Sequence, residues 1–209
     1  MTYRFFDPGA KFSNNHIRGF MIREGYLPVG EDEVEKCDFY LFTGGSDISP
    51  ELYNEKDTDC YIVRPERDLI EAFYMLRAKI EKKPCIGICR GFQLLNIISG
   101  VKLIQDVTGH SGTKHAVTLS SRTADYLPSQ VKTVNSTHHQ AVPYSAAEQL
   151  KYDEFLWATA QSKSGATSIL EGGLCKEYNF AGVQYHPEYT DCPMPAESYF
   201  HGLISRLMN

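Results

Sequence analysis

Residues 83–100 read KPCIGICRGFQLLNIISG, and the run changes period in its middle. Residues 84–88 are a short apolar run that suits a buried strand. Phe92, Leu95, Asn96 and Ser99 then recur at helical spacing, with Leu94, Ile97 and Ile98 on the adjoining face, so a helix is expected from about Arg90. Cys89 falls on the turn between the two, flanked by Gly87 and Gly91 as Gly-x-Cys-x-Gly. Small flanking residues permit a sharp turn that pushes one side chain outward. The positive end of the helix dipole and the neighbouring Arg90 are both expected to favour thiolate over thiol. Free cysteines are more often inert core residues. Two flanking glycines and a strand-to-helix switch point instead to a reactive one.

Working outward, residues 65–82 open with Pro65 and Glu66 and read as an amphipathic helix buried through Leu69, Phe73, Leu76 and Ile80. Before it, residues 38–43 read as a strand running into Gly44-Gly45-Ser46-Asp47. Paired glycines at a strand's carboxyl end present backbone amides where ligands bind in α/β sheets. The β, α, β order implies a right-handed crossover and a mainly parallel sheet. Nearer the N-terminus, strands are expected at 3–6 and 26–29, with 34–37 leading into the strand at 38–43. A helix capped by Asn14 or Asn15 should run to Arg23 with Ile17, Phe20 and Met21 inward. After Gly100 the short apolar runs at 103–104, 115–119, 131–135 and 155–160 suggest a mixed or antiparallel addition over one face. Strands at 169–170 and 180–184 follow, then a closing helix from Pro195 with Tyr199, Leu203 and Leu207 toward the sheet. The 209 residues contain no internal repeat or linker and suit one domain, 1–209.

A formal charge of -5 without a basic run argues against nucleic acid as a partner. The six cysteines form no CxxC pair, which fits reduced thiols and a cytoplasmic location. Asp7, Lys11, Arg18, Arg23 and Glu24 interrupt any apolar leader, and no stretch is long enough to span a membrane.

A thiol nucleophile needs a base, usually a histidine held by a carboxylate. Of seven histidines, His186 stands apart: it follows an apolar strand, precedes Pro187, and has Glu188 two positions on. Pro187 biases His186 toward an extended backbone, which can bring His186 and Glu188 to one side. His138 and His139 are adjacent, so on a strand they face opposite ways, and no second ligand pair at zinc spacing accompanies them. No metal and no cofactor are expected.

GICRGFQ at 87–93 and GVQYHPE at 182–188 closely resemble the class I glutamine amidotransferase superfamily, whose triad runs Cys, His, Glu in this order. TGGSDISPELY at 43–53, Arg67-Asp68, LIQD at 103–106 and VNSTHHQAV at 134–142 look like its γ-glutamyl-γ-aminobutyrate hydrolase branch. The resemblance implies a three-layer α/β/α, flavodoxin-like fold with a mainly parallel sheet and a small antiparallel addition. It implies Cys89 as nucleophile, His186 as acid and base, and Glu188 as its orienting partner. It places the backbone amides of Gly45 and Arg90 in an oxyanion hole, Gln93 at the glutamyl group, Gly44 among the substrate-binding residues, and Asn135, Ser136 and His139 around the pocket mouth. The chain departs from the branch at Gly100-Val101, where two glycines are usual, and at residues 167–170. The expected substrate is glutamine or a γ-glutamyl amide. Two other readings stay open: a glutaminase subunit feeding ammonia to a partner synthetase, and a non-catalytic binding or regulatory protein on the same fold. A homodimer is also left open.

Overall fold

The computed structural model describes residues 2–12, 15–121 and 131–209, with Ser121 by its backbone. The first half runs β1 (Arg4–Phe6), α1 (His16–Arg23), β2 (Leu27–Pro28), β3 (Phe39–Phe42), α2 (Pro65–Glu81), β4 (Cys85–Ile88) and α3 (Arg90–Ile98). The second half supplies β5 (Val107–Thr108), β6 (Ser111–Ala116), β7 (Thr118–Ser121), β8 (Thr133–Thr137) and β9 (Val142–Pro143). It then continues through α4 (Ala146–Gln149), β10 (Glu154–Ser162), β11 (Gly165–Cys175), β12 (Phe180–Val183) and α5 (Met194–Met208).

The main sheet has the order β2-β1-β3-β4-β12-β11-β10-β5. It is parallel from β2 to β12 and antiparallel from β12 onward. Strands buried on both faces carry unbroken apolar runs, because each alternate side chain meets a different helical layer. In β3, Phe39 and Leu41 join Phe5, Ile86 and Ile88 in a core shared with Phe20 of α1 and Leu203 of α5. Tyr40 and Phe42 face the other way, with Phe6, against Tyr74 and Met75 of α2 and Leu95 of α3. The result is the expected α/β/α arrangement, with β4 and β12 side by side at its centre.

Several local expectations change. Residues 31–36 form a 3-10 helix instead of a strand. The run at 115–119 divides at Val117: β6 pairs with β8 in a separate two-stranded sheet, while β7 joins β10. The antiparallel addition therefore extends the edge of the main sheet as well as covering it. Asn15 stands at the N-cap of α1 without a side-chain cap bond, and Asn14 lies outside the described residues.

The largest correction concerns α2. Its apolar stripe faces outward: Leu69 is 67% exposed, Phe73 60%, Leu76 53% and Ile80 82%. The inward face instead carries Arg67, Asp68 and Glu71 beside Tyr74, Met75 and Ala78. Those charges are matched: Arg67 Nε donates to Glu71 Oε1 at 2.9 Å, Arg67 Nη2 to Thr43 O at 3.0 Å, and Ser49 Oγ to Asp68 Oδ2 at 2.6 Å. The Arg90 guanidinium donates to both Glu71 and Asp68. A paired ionic layer has taken the place of the apolar contact that spacing alone favours, since a buried charge is tolerated only when paired.

Candidate active site

Cys89 sits where β4 gives way to α3, with φ 52° and ψ −110°. A non-glycine residue there is strained, and such strain persists only where the surroundings enforce it. The flanking glycines do so. A methyl group on Gly91 would lie 2.0 Å from Phe42 O, and one on Gly87 2.5 Å from the Phe92 amide nitrogen. Only hydrogens let α3 close against β3 and β4, and that closure turns Cys89 outward. Its amide donates to Val183 O at 2.7 Å, tying the turn to the end of β12.

His186 arrives from that same strand end. Its Nδ1 lies 2.7 Å from Glu188 Oε1; because a carboxylate can only accept, Nδ1 carries a proton and donates it there. Asn135 holds the histidine's backbone from both sides, donating from Nδ2 to His186 O at 3.0 Å and accepting from His186 N at 3.1 Å. Tyr189 stacks on the ring at 4.5 Å between centroids, 10° from parallel. Gly44 lies beside both reactive groups: a methyl there would be 3.0 Å from His186 Cε1 and 3.6 Å from Cys89 Cβ. Cys89, His186, Glu188, Gly44 and Gly45 line one cavity of about 310 Å³ with Thr137.

Electrostatics follow from this geometry. Burial works against a charged His186, but its interaction and hydrogen bond with Cys89 and the Glu188 carboxylate outweigh it, raising the imidazole to about 11. The expected help from the Arg90 side chain is corrected: its guanidinium is committed to Asp68 and Glu71. The cation beside the sulfur is His186. The amide of Arg90 belongs to the first turn of α3, where N–H groups lack intrahelical acceptors. Gly45 has φ 154°, and a methyl there would meet Arg67 Nη1 at 2.1 Å.

The residues expected around the substrate divide. Gly44 lines the cavity, whereas Gln93, Asn135, Ser136 and His139 are not among its lining. Gln93 is buried behind it, donating to Gln140 O at 2.8 Å and to Gln184 Oε1 at 3.2 Å. Gln184 in turn reaches Cys89 Sγ at 3.6 Å. Asn135 braces His186, and Ser136 Oγ donates to His110 O. His139 lies 3.0 Å from Asp47 Oδ1 and 3.3 Å from Asp106 Oδ1, stacked 3.9 Å from Tyr61. Sequence reasoning missed Thr137, Tyr189, Gln184 and Glu71. Tyr189 and Gln184 flank the His-Pro-Glu run, and Thr137 lies within VNSTHHQAV between Ser136 and His138, so these could have been suspected; Glu71 carries no local signal.

The model of a family described as peptidase C26 matches residues 28–188. The chain is 35% identical over 173 residues to Protein NtpR of Enterococcus hirae, covering 75% of this chain and 69% of that protein. It is 32% identical over 184 residues to the glutamine amidotransferase-like protein YvdE of Lactococcus lactis subsp. lactis, covering 78% and 73%. A solved structure from Thermoplasma acidophilum, described as a component of GMP synthase, has a TM-score of 0.61 at 15% identity, over 99% of this chain and 96% of that one, a likeness of fold.

Proposed function

The chain belongs to the peptidase C26 family, within the class I glutamine amidotransferase superfamily, and we propose that it cleaves the γ-glutamyl amide bond of glutamine or a γ-glutamyl amine. The observation that carries this reading is Cys89 on a strained turn, beside a His186–Glu188 pair in one cavity. Cys89 sulfur attacks the γ-carbonyl carbon, and the amides of Gly45 and Arg90 receive the charge developing on the oxygen. His186 gives its proton to the departing nitrogen as the C–N bond breaks, leaving a glutamyl thioester. A water then loses a proton to His186 and attacks the thioester carbon, releasing glutamate and restoring the thiolate. Glu188 fixes the imidazole's tautomer throughout.

Incubating the purified chain alone with glutamine and a panel of γ-glutamyl amides tests this. Glutamate release and a glutamyl adduct on Cys89, seen by mass spectrometry, are expected. Absence of both with every amide would overturn the reading.

A second reading, a glutaminase subunit supplying ammonia to a synthetase, is favoured by one observation, the exposed apolar stripe of α2. That surface suits a covered position in an assembly. Glutamate release only after a synthetase chain is added would select it.

A further inference from the structure

The adjacent histidines 138 and 139 part company in the fold. His139 goes to Asp47 and Asp106. His138 enters a separate cluster with His110, in the segment between β5 and β6, His115 of β6 and Glu171 of β11. His110, His138 and Glu171 are 3%, 4% and 0% exposed. Glu171 Oε1 lies 3.0 Å from His115 Nε2, 3.3 Å from His138 Nε2 and 3.6 Å from His110 Nδ1. None of these approaches has hydrogen-bond geometry, and both Glu171 oxygens lack a hydrogen-bond donor.

The tautomers explain why. His138 Nδ1 lies 3.0 Å from Gln140 O, and His110 Nε2 lies 3.4 Å from Thr159 O. A carbonyl can only accept, so those nitrogens carry the protons. In the neutral rings the opposite nitrogens, His138 Nε2 and His110 Nδ1, are bare lone pairs lying beside a buried carboxylate. Acceptors converge on an acceptor, which is costly unless positive charge lies between them.

We propose that His110, His138 and Glu171, with His115 beside the carboxylate, bind a divalent transition-metal ion, for which Zn²⁺ is the best chemical match. Ring nitrogens and a carboxylate are its usual ligands, and a metal-bound histidine usually donates its other N–H to a carbonyl or carboxylate, as His138 and His110 do. Tetrahedral bonds of about 2.0–2.1 Å place donor atoms about 3.4 Å apart, and the three contacts to Oε1 straddle that spacing at 3.0, 3.3 and 3.6 Å. The donor atoms of His110, His138 and Glu171 all lie within 4.8 Å of one another. The three donors are buried, so the ion would lie inside the protein. It joins the β6–β8 sheet to β11, and β8 carries Asn135, the clamp on His186. This ion site stands independently of the reaction proposed above.

The test uses the full chain after treatment with a chelator, titrated with Zn²⁺ and, separately, with Co²⁺. Expected are about one ion bound per chain, Co²⁺ ligand-field bands without a sulfur-to-cobalt charge-transfer band, and a higher melting temperature with Zn²⁺. Glu171→Gln and His138→Ala should each weaken Zn²⁺ binding about 100-fold or more. His139→Ala and Cys89→Ala should leave it unchanged. Should the two ligand variants fail to fold, His110→Asn supplies the loss-of-ligand measurement, and the wild-type spectrum still reports the donors. No uptake by the wild-type chain, retention of tight binding in the ligand variants, or loss of binding in Cys89→Ala would overturn the proposal. The first result would leave an imidazolium–carboxylate cluster in its place.

Discussion

Cys89 and His186 show how little freedom the site allows a single atom. Replacing Cys89 with alanine should lower glutamate release roughly 10⁴-fold or more with an unchanged melting temperature, because the bond-forming atom is gone but its packing is small. A variant with wild-type turnover would sink the mechanism. Glu188→Gln should cost less, roughly 10- to 10³-fold, since the sulfur remains while the imidazole loses the carboxylate 2.7 Å from Nδ1. Gly44→Ala adds a methyl 3.0 Å from His186 Cε1. The ring must shift by a few tenths of an ångström, and kcat is expected to fall about 10-fold with little change in stability. Steady-state kinetics beside thermal melts separate these three outcomes.

Among elements, α2 carries the main lesson. Its periodicity identifies a helix but points to the wrong face, because hydrophobic spacing records only that one side differs from the other. Glu71 accepts from Arg67 and Arg90 with no exposed surface. Glu71→Ala would leave two buried guanidiniums short of a partner and should destabilise the chain by about 3–5 kcal/mol in urea unfolding. Leu76→Ser and Ile80→Ser, on the exposed side, should each change stability by less than about 0.5 kcal/mol. If the order were reversed, with the leucine and isoleucine costing more, the assignment of faces would be wrong. The closing helix α5 offers the contrast: Tyr199, Leu203 and Leu207 are buried as their spacing predicts, packed with Phe39, Ile86 and Val183 of the sheet's apolar core.

At the scale of the whole molecule, pH dependence exposes a buried carboxyl away from the reaction. Burial and the charge of Glu71 push Asp7 up to about 7, against the hydrogen bond from Gly9 N and the nearby arginines. The folded chain therefore binds a proton more tightly than the unfolded one, whose carboxyl titrates near 3.8. Stability from this group is complete below that value and is lost as pH rises toward 7. Comparing Asp7→Asn with wild type, the melting temperatures should diverge in favour of the variant between pH 5 and pH 8, and parallel curves would refute this origin. The sequence by itself determined the strand–cysteine–helix turn, the parallel β, α, β core and the His-Pro-Glu run, because each is written in local spacing, glycine placement and proline geometry. The tertiary structure alone decided which face of α2 is inside, that Arg90 serves a buried ionic layer, that Asn135 braces His186, and that His138 leaves its neighbour for His110 and Glu171. Those outcomes depend on partners dozens of residues away, whose approach is fixed by packing and charge compensation that no short window of residues contains.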